Sequence, residues 1–375
     1  MSDTSPAPEP LGLRKLSRLG LAIAVTGALI QLVLAVYYLA MAHSPSPHDL
    51  PVGVVGTAEQ QAQAQQLEAD GEFTVESYAD ADALQQAIRE RNAYGGVAFA
   101  GNNPTLYVAS AASPSVANLF KAQYTKVYQQ QIADQVTSLT AAGKPVPVAT
   151  VAALTTPPPV TDVVPLPEDD SAGSSLGFVI QALCLGGSIA SIALGRLRRL
   201  TERSARRGLG HASLLVVYAL GSSAVALLAM ALFGVGDQAD HFTLFWGLAL
   251  ISLAVTASTA AFVALIGPAG SLIGGLYFTV GLIISGSSIA PEMLPRAGHT
   301  VGQLLPPGAG ATVARDAMYF PDAATGSAFV VLAAYALGGL AVILYCNTAA
   351  NRTRFTQALL RRSSGGGEVV GSSDA

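Results

Sequence analysis

Six runs of about 20 predominantly apolar residues constrain this chain more than any other feature, because only certain backbones survive in hydrocarbon. A helix satisfies its N–H and C=O groups along its own length, and about 20 residues rising 1.5 Å each cross the bilayer core. The runs are Leu19–Ala42, Leu176–Leu194, Leu209–Val235, Phe242–Ile266, Gly270 to about Ile289, and Ala328–Thr348. Charged residues make up 12% of the chain, against roughly a quarter in an ordinary soluble domain, and they fall almost wholly between the runs. The fold class read from this pattern is an α-helical integral membrane protein with six transmembrane helices and a small extracytoplasmic α/β domain inserted between helices 1 and 2.

Orientation follows from Lys and Arg, which are retained in short cytoplasmic loops. Arg14, Lys15 and Arg18 precede the first run; Arg196, Arg198, Arg199, Arg203, Arg206 and Arg207 lie between the second and third; Arg352, Arg354, Arg361 and Arg362 follow the sixth. These are 13 of the 20 basic residues, all on one side, while the other side carries 19 of the 24 acidic ones. Both ends are therefore expected in the cytoplasm. Ala40-Met41-Ala42 fits a signal-peptide cleavage pattern, but the preceding apolar run exceeds a signal h-region of roughly 7 to 15 residues, which favours an uncleaved anchor. The expected layout is a cytoplasmic segment 1–18, a first helix 19–42, an extracytoplasmic α/β domain with its Pro-rich connector 43–172, a five-helix domain 173–350 with an outer loop 291–327, and a cytoplasmic tail 351–375.

The outer domain reads as short alternating elements. Strands are expected at Pro51–Val55, Phe73–Tyr78, Val97–Phe99 and Leu106–Ser110, and helices at Ala58–Ala69, Asp80–Asn92 and about Pro114–Leu139. Thr161–Pro165 is a candidate returning strand after the Pro-, Ala- and Thr-rich stretch Pro145–Pro159. The order β-α-β-α-β-β-α implies a small sheet covered by helices.

Several chemistries are not supported. A phosphate-binding loop ends in Lys-Ser or Lys-Thr, and neither dipeptide occurs; Gly143-Lys144-Pro145 has no hydroxyl residue and follows no strand. The histidines are scattered, and the close pair His43 and His48 sits with Asp49 in a juxtamembrane linker, so neither metal nor cofactor is expected. Gly173-Ser174-Ser175-Leu176-Gly177 fits the letters of a nucleophile elbow but opens an apolar run instead of joining strand to helix. Cys184 and Cys346 lie within predicted spans, which excludes a disulfide framework outside. Within the spans the one strongly ionisable side chain is His211, at a margin, which argues against a carrier driven by protons or ions alone.

Other features are suggestive. Gly270, Gly274 and Gly281 in the fifth run recur at spacings that permit close helix packing. The arginine-rich loop between the second and third runs reads as a topology signal, with a cytoplasmic docking surface as the sharper alternative. Leucines 11, 13, 16 and 19 with charges between them suggest a short interfacial amphipathic helix. In the outer loop, Leu304-Leu305-Pro306-Pro307-Gly308-Ala309 and then Ala311–Phe320 suggest a broken turn and a short helix at, or dipping into, the outer leaflet.

One span, an exterior domain opening with Leu50-Pro-Val-Gly-Val-Val55, five further spans and the segment Leu304-Leu-Pro-Pro-Gly-Ala-Gly-Ala-Thr-Val-Ala-Arg-Asp-Ala-Met-Tyr-Phe320 together resemble bacterial YhgE/Pip-like membrane proteins related to type-2 ABC exporter permeases. The resemblance runs from about residue 12 to 350. It implies a multi-pass protein of the bacterial plasma membrane, without its own ATPase, paired as a homodimer and driven by a separate cytoplasmic ATPase subunit, exporting an amphipathic or lipid-like cargo. By the same resemblance the loop Gly195–Gly208, with Arg196, Arg198, Arg199 and Arg203, contacts the ATPase. Glu292–Asp322 corresponds to re-entrant exterior helices, with Pro306, Pro307, Gly308, Arg315, Tyr319 and Phe320 as the residues to watch. The alternative is a surface scaffold or receptor whose exterior domain binds an envelope partner or a phage; no nucleic-acid partner is expected.

Overall fold

A computed structural model describes residues 13–43, 45–100, 103–153, 157–199 and 205–364. The chain divides into two units, Met1–Pro45 and Ser46–Ala375. The first is helix α1 (Leu13–Ala42), whose Ala24–Ala42 stretch is long and apolar enough to cross a membrane. Residues 13–19 of the stretch expected to form a short amphipathic helix lie in the first turns of α1. Leu11 and Gly12 lie outside the described residues.

The second unit opens with a five-stranded sheet built from β1 (Leu50–Val55), β2 (Phe73–Ser77), β3 (Gly95–Ala100), β4 (Asn103–Val108) and β5 (Val160–Asp162), in the order β2-β1-β3-β4-β5. β1 runs parallel to both neighbours, with Val52 opposite Val75 and Val54 opposite Val97; β3 and β4 form an antiparallel hairpin, and β5 joins β4 in parallel. Parallel neighbours need crossovers, which helices α2 (Ala58–Gln65) and α3 (Ala81–Arg89) supply. Their starts are written in the sequence. Thr57 and Gln60 form a reciprocal capping box on α2, and the Asp80 carboxylate accepts the Ala83 N–H at 2.8 Å on α3. α3 buries Leu84, Ala87 and Ile88 on one face against the sheet. Helix α4 (Pro114–Ala141) starts with Ser113 as cap and Pro114 in the first turn, buries Val116 and Ala117, and then runs on largely exposed; α5 (Val148–Ala153) follows it.

The helical bundle comprises α6 (Ser175–Arg199), α7 (Ala205–Leu232), α8 (His241–Ile266), α9 (Leu272–Leu276), α10 (Arg296–Gln303), α11 (Pro306–Tyr319) and α12 (Gly326–Ser364). α8 is central and packs against α6, α7, α11 and α12. Its Leu244, Leu248, Ile251 and Val255 are essentially fully buried at i, i+4, i+7 and i+11, and residues on its other faces are covered too. Most of the buried hydroxyls find carbonyl partners, whereas Ser252 Oγ and Thr259 Oγ1 on α8 are buried without one. Ser188, Thr256 and Ser258 donate to carbonyls four residues back at 2.6 to 2.7 Å, and Ser191 bonds both Gly187 O and Thr256 O across to α8.

Among the described residues five helical stretches are apolar and long enough to cross a membrane: Ala24–Ala42, Ser175–Leu194, Ala205–Leu232, His241–Gly281 and Gly326–Thr348. The fourth, at 41 residues, would be roughly 60 Å long if straight, twice the bilayer core. It is not straight. Gly267 takes φ +76°, a short 3₁₀ segment Gly267–Ser271 follows, and a Cβ on Gly270 would sit 2.2 Å from the Phe262 carbonyl carbon. The Tyr277 hydroxyl then donates to Ser258 Oγ at 3.1 Å, so the chain has doubled back along α8. Helical structure ends at Gly281, eight residues before the Ile289 expected from hydropathy. The residues that follow, Ser285-Gly286-Ser287-Ser288 with Gly286 at φ +78°, do not resume the helix although the flanking residues are apolar.

Candidate functional site

Where the returning chain breaks, the structure concentrates its buried polar groups. α9 passes into one π-helical turn, Tyr277–Gly281, and residues 282–290 are then irregular, with 284–287 buried: Ile284 is 3% exposed, Ser285 0% and Ser287 2%. Irregular backbone buried in protein must find hydrogen bonds elsewhere. α10 and α11 provide them. Gln303 Nε2 donates to Ser285 O at 3.1 Å while its Oε1 accepts from Thr312 Oγ1 at 2.9 Å, and Arg315 Nη2 donates to Ser287 O at 2.9 Å. α10 lies close on this stretch, where a Cβ on Gly302 would be 1.8 Å from Ile284 O, and α11 lies close on α10, where one on Gly308 would be 2.1 Å from Gly302 O. Only glycine permits either contact.

Next to Arg315, the Asp316 carboxylate binds the Arg91 guanidinium from the end of α3 and accepts the Thr325 hydroxyl at 2.9 Å. The Arg91 side chain is 15% exposed and that of Asp316 6%. Arg91 occupies the left-handed region at φ 59°, its N–H bonded to Ile88 O, and Asn92 N–H returns to Ala87 O. This is the reversal that usually ends in glycine or asparagine. The guanidinium also stands 5.6 Å over the Phe320 ring, a cation–π distance. Three residues after Arg91, Tyr94 donates its hydroxyl to Glu292 at 2.6 Å, and the Glu292 backbone carbonyl accepts the His48 N–H. Two arginines and two carboxylates thus balance in one buried cluster between α3–β3 and the outer segment.

Burial dominates the electrostatics. It pushes the Tyr94 hydroxyl well above the usual tyrosine range, and the neighbouring Glu292 charge adds to this while Arg91 pulls the other way. Burial likewise pushes Arg315 down to about 10, helped by repulsion from Arg91, so it remains charged at neutral pH. For Arg91, burial pulls down but Asp316 and its other partners outweigh it, and the net direction is up. Removing one member of such a cluster leaves an uncompensated buried charge, which costs about 3–5 kcal/mol. Each carboxylate is occupied by a donor, and among the described residues no three His, Cys, Asp or Glu side chains gather as a metal site would require. The cluster joins parts of the molecule; it presents no nucleophile with a base.

The residues singled out from the sequence are distributed as follows. Pro306 and Pro307 begin α11 in its first turn, where a missing N–H is harmless, so the helix starts there and not at the expected Ala311. Pro306, Pro307, Gly308, Arg315 and Phe320 are buried, and Tyr319 is partly so. Gly270 packs on the end of α8, Gly274 against Ser188 of α6, and Gly281 against Pro307. All three serve packing within one bundle. Arg196, Arg198 and Arg199 lie in the last turn of α6, which the expected loop does not interrupt; Arg206 and Arg207 lie exposed in the first turn of α7, and Arg203 falls outside the described residues. Ser175 is the first residue of α6, its N–H donating to the Asp170 carboxylate at 3.2 Å, a capping arrangement. The sequence marks neither Arg91 nor Tyr94, and Glu292 enters it only as the start of the segment Glu292–Asp322. The signal it does hold is the pair of adjacent charges at Arg315 and Asp316 inside an Ala-rich helix.

The model of the ABC-2 family transporter proteins matches residues 22–345, most of the chain and all of the helices just described except the two ends. The chain belongs to the ABC-2 transporter family. It is a multi-pass, helical integral membrane protein and a permease-type transporter component. No curated protein and no solved structure matches it. The matched region of this ABC-2 protein takes in the sheet as well as the bundle, so the buried cluster lies within the family region.

Proposed function

We propose that this ABC-2 family protein is the membrane subunit of an exporter that moves an amphipathic or lipid-like cargo outward, working as a homodimer on ATP hydrolysed by a separate cytoplasmic subunit. The observation that carries this is the family match over residues 22–345. Supporting it, the polar side chains within the described spans are mainly small hydroxyl residues bonded to backbone carbonyls, and among the described residues no acid–base relay of the sort an ion-coupled carrier needs is seen. In this reading the doubled-back stretch His241–Gly281 makes two crossings, giving six in all with both ends inside. The sheet with α2 to α5 then lies outside, and the basic connection from Arg196 to Arg207 faces the ATPase. The segment α10–α11 forms the outer re-entrant element.

Purification of the tagged full chain in mild detergent, with mass spectrometry and an ATPase assay, tests the proposal. The expected result is a stoichiometric nucleotide-binding subunit that is lost when Arg198, Arg199 and Arg203 are changed to Glu. Copurification of envelope proteins alone, without ATPase activity, overturns it in favour of a surface scaffold. The long exposed part of α4 is the feature that suits that second reading.

A further inference from the structure

The sheet and the outer helical segment are tied together by three kinds of contact. The first is the buried Arg91–Asp316 pair with Arg315, Tyr94 and Glu292 around it. The second is apolar. Ala290, Met293 and Phe320, from the segment that flanks α10 and α11, complete the core formed by Leu50, Leu84 and Ile88 under the sheet. The third is backbone: His48 N–H donates to Glu292 O at 2.8 Å just before β1. The ion pair of this set is buried and its apolar part is continuous with the core under the sheet, unlike the more polar contacts between domains that move on each other. Arg91 is moreover held in a strained backbone state that persists only where its surroundings fix it.

We infer that the sheet with α3 and residues 284–325 form one rigid body, with the Arg91–Asp316 pair as its strut. A ligand or partner held by the sheet then acts directly on the unwound stretch 282–290, through Arg315 and its bond to Ser287 O, and so on the outer end of the bundle. What is moved rests on the permease reading; the rigid body itself does not.

Native-state hydrogen exchange on the full chain in lipid nanodiscs tests this. Amides in one cooperative unit open together. In the wild type, protected amides of α3–β3 and of α11 are expected to agree in protection to within about threefold, as one unit requires. Arg91→Lys keeps the charge but loses the planar fork, and it is expected to speed exchange on both sides by the same factor. Arg91→Ala is expected to do so more strongly. Asp49→Ala, which removes an exposed ion pair with Arg296 (67% and 60% exposed), is expected to change neither. Faster exchange in α3–β3 with α11 unmoved, or unequal protection already in the wild type, overturns the inference. Should Arg91→Ala not fold, the wild-type comparison and Arg91→Lys decide it. Loss of ATPase copurification would leave this exchange pattern intact, so the two failures are separable.

Discussion

Tyr94 shows how a single residue in the buried cluster turns environment into measurable behaviour. Its hydroxyl donates to Glu292 at 2.6 Å, and burial together with that carboxylate holds its proton well above the ordinary tyrosine value. The sign follows directly. An acid whose pKa is raised on folding contributes stability that is complete below its unfolded value, about 10, and is lost as pH rises beyond it. At neutral pH Tyr94→Phe removes a hydrogen bond to a charged group and should cost about 1.5–3 kcal/mol. That gap should hold from pH 8 to about 10 and narrow from there to pH 11, since wild type alone loses the Tyr94 contribution while the other tyrosines titrate in both proteins. Thermal unfolding of both in detergent micelles across that range checks it; a constant or widening gap would mean the hydroxyl is not protected. Such a residue is hard to find by reading. Glu90-Arg91-Asn92 after an amphipathic helix looks like a solvated helix end, and the 225 residues separating Arg91 from Asp316 leave no local pattern.

At the level of elements, legibility tracks how local the determinants are. Caps at Thr57, Asp80 and Ser113 lie within three residues of the groups they satisfy, and the alternation of short strands and helices from Leu50 to Val108 is visible in the sequence. The apolar stretch after Gly270 hid a different structure, because hydropathy reports what a segment can be buried in and not whether its backbone stays helical. The break after Gly281 depends on Gln303 and Arg315 taking over the lost backbone bonds from another helix. α10 was missed for a similar reason, its eight residues being mostly polar or small. Gly274 offers a test of the packing that is legible. A Cβ there would meet Ser188 Cβ at 2.7 Å, so Gly274→Ala should destabilise by about 1–3 kcal/mol through overpacking. Ser188→Gly removes the obstructing atoms, and the double variant should therefore be more stable than the sum of the two single effects predicts, by about 0.5–3 kcal/mol. Additive effects in a double-mutant cycle of melting curves would show that α6 and α9 do not meet there.

For the molecule as a whole, the decisive question is which side of the membrane each part occupies, and one stretch controls the answer. Taken as a single long helix, His241–Gly281 makes five crossings in the chain and puts the two ends on opposite sides; taken as the hairpin that Tyr277–Ser258 and Gly270–Phe262 define, it makes six and keeps them together. In the proposed topology it is the hairpin that lets the basic residues before the first run, between α6 and α7 and after the sixth run share the cytoplasm. The hairpin also puts the sheet and residues 284–325 on one face, which their shared core requires. With Cys184 and Cys346 replaced by Ala, single cysteines at Lys144, Asp322 and Arg203 separate the cases. A membrane-impermeant maleimide applied to intact cells should label Lys144→Cys and Asp322→Cys, and should label Arg203→Cys only after permeabilisation. Labelling at Lys144 with protection at Asp322 would be compatible only with the single crossing. It would place Arg91 and Asp316 on opposite sides of the bilayer, and neither the buried pair nor the rigid body built on it would survive that result.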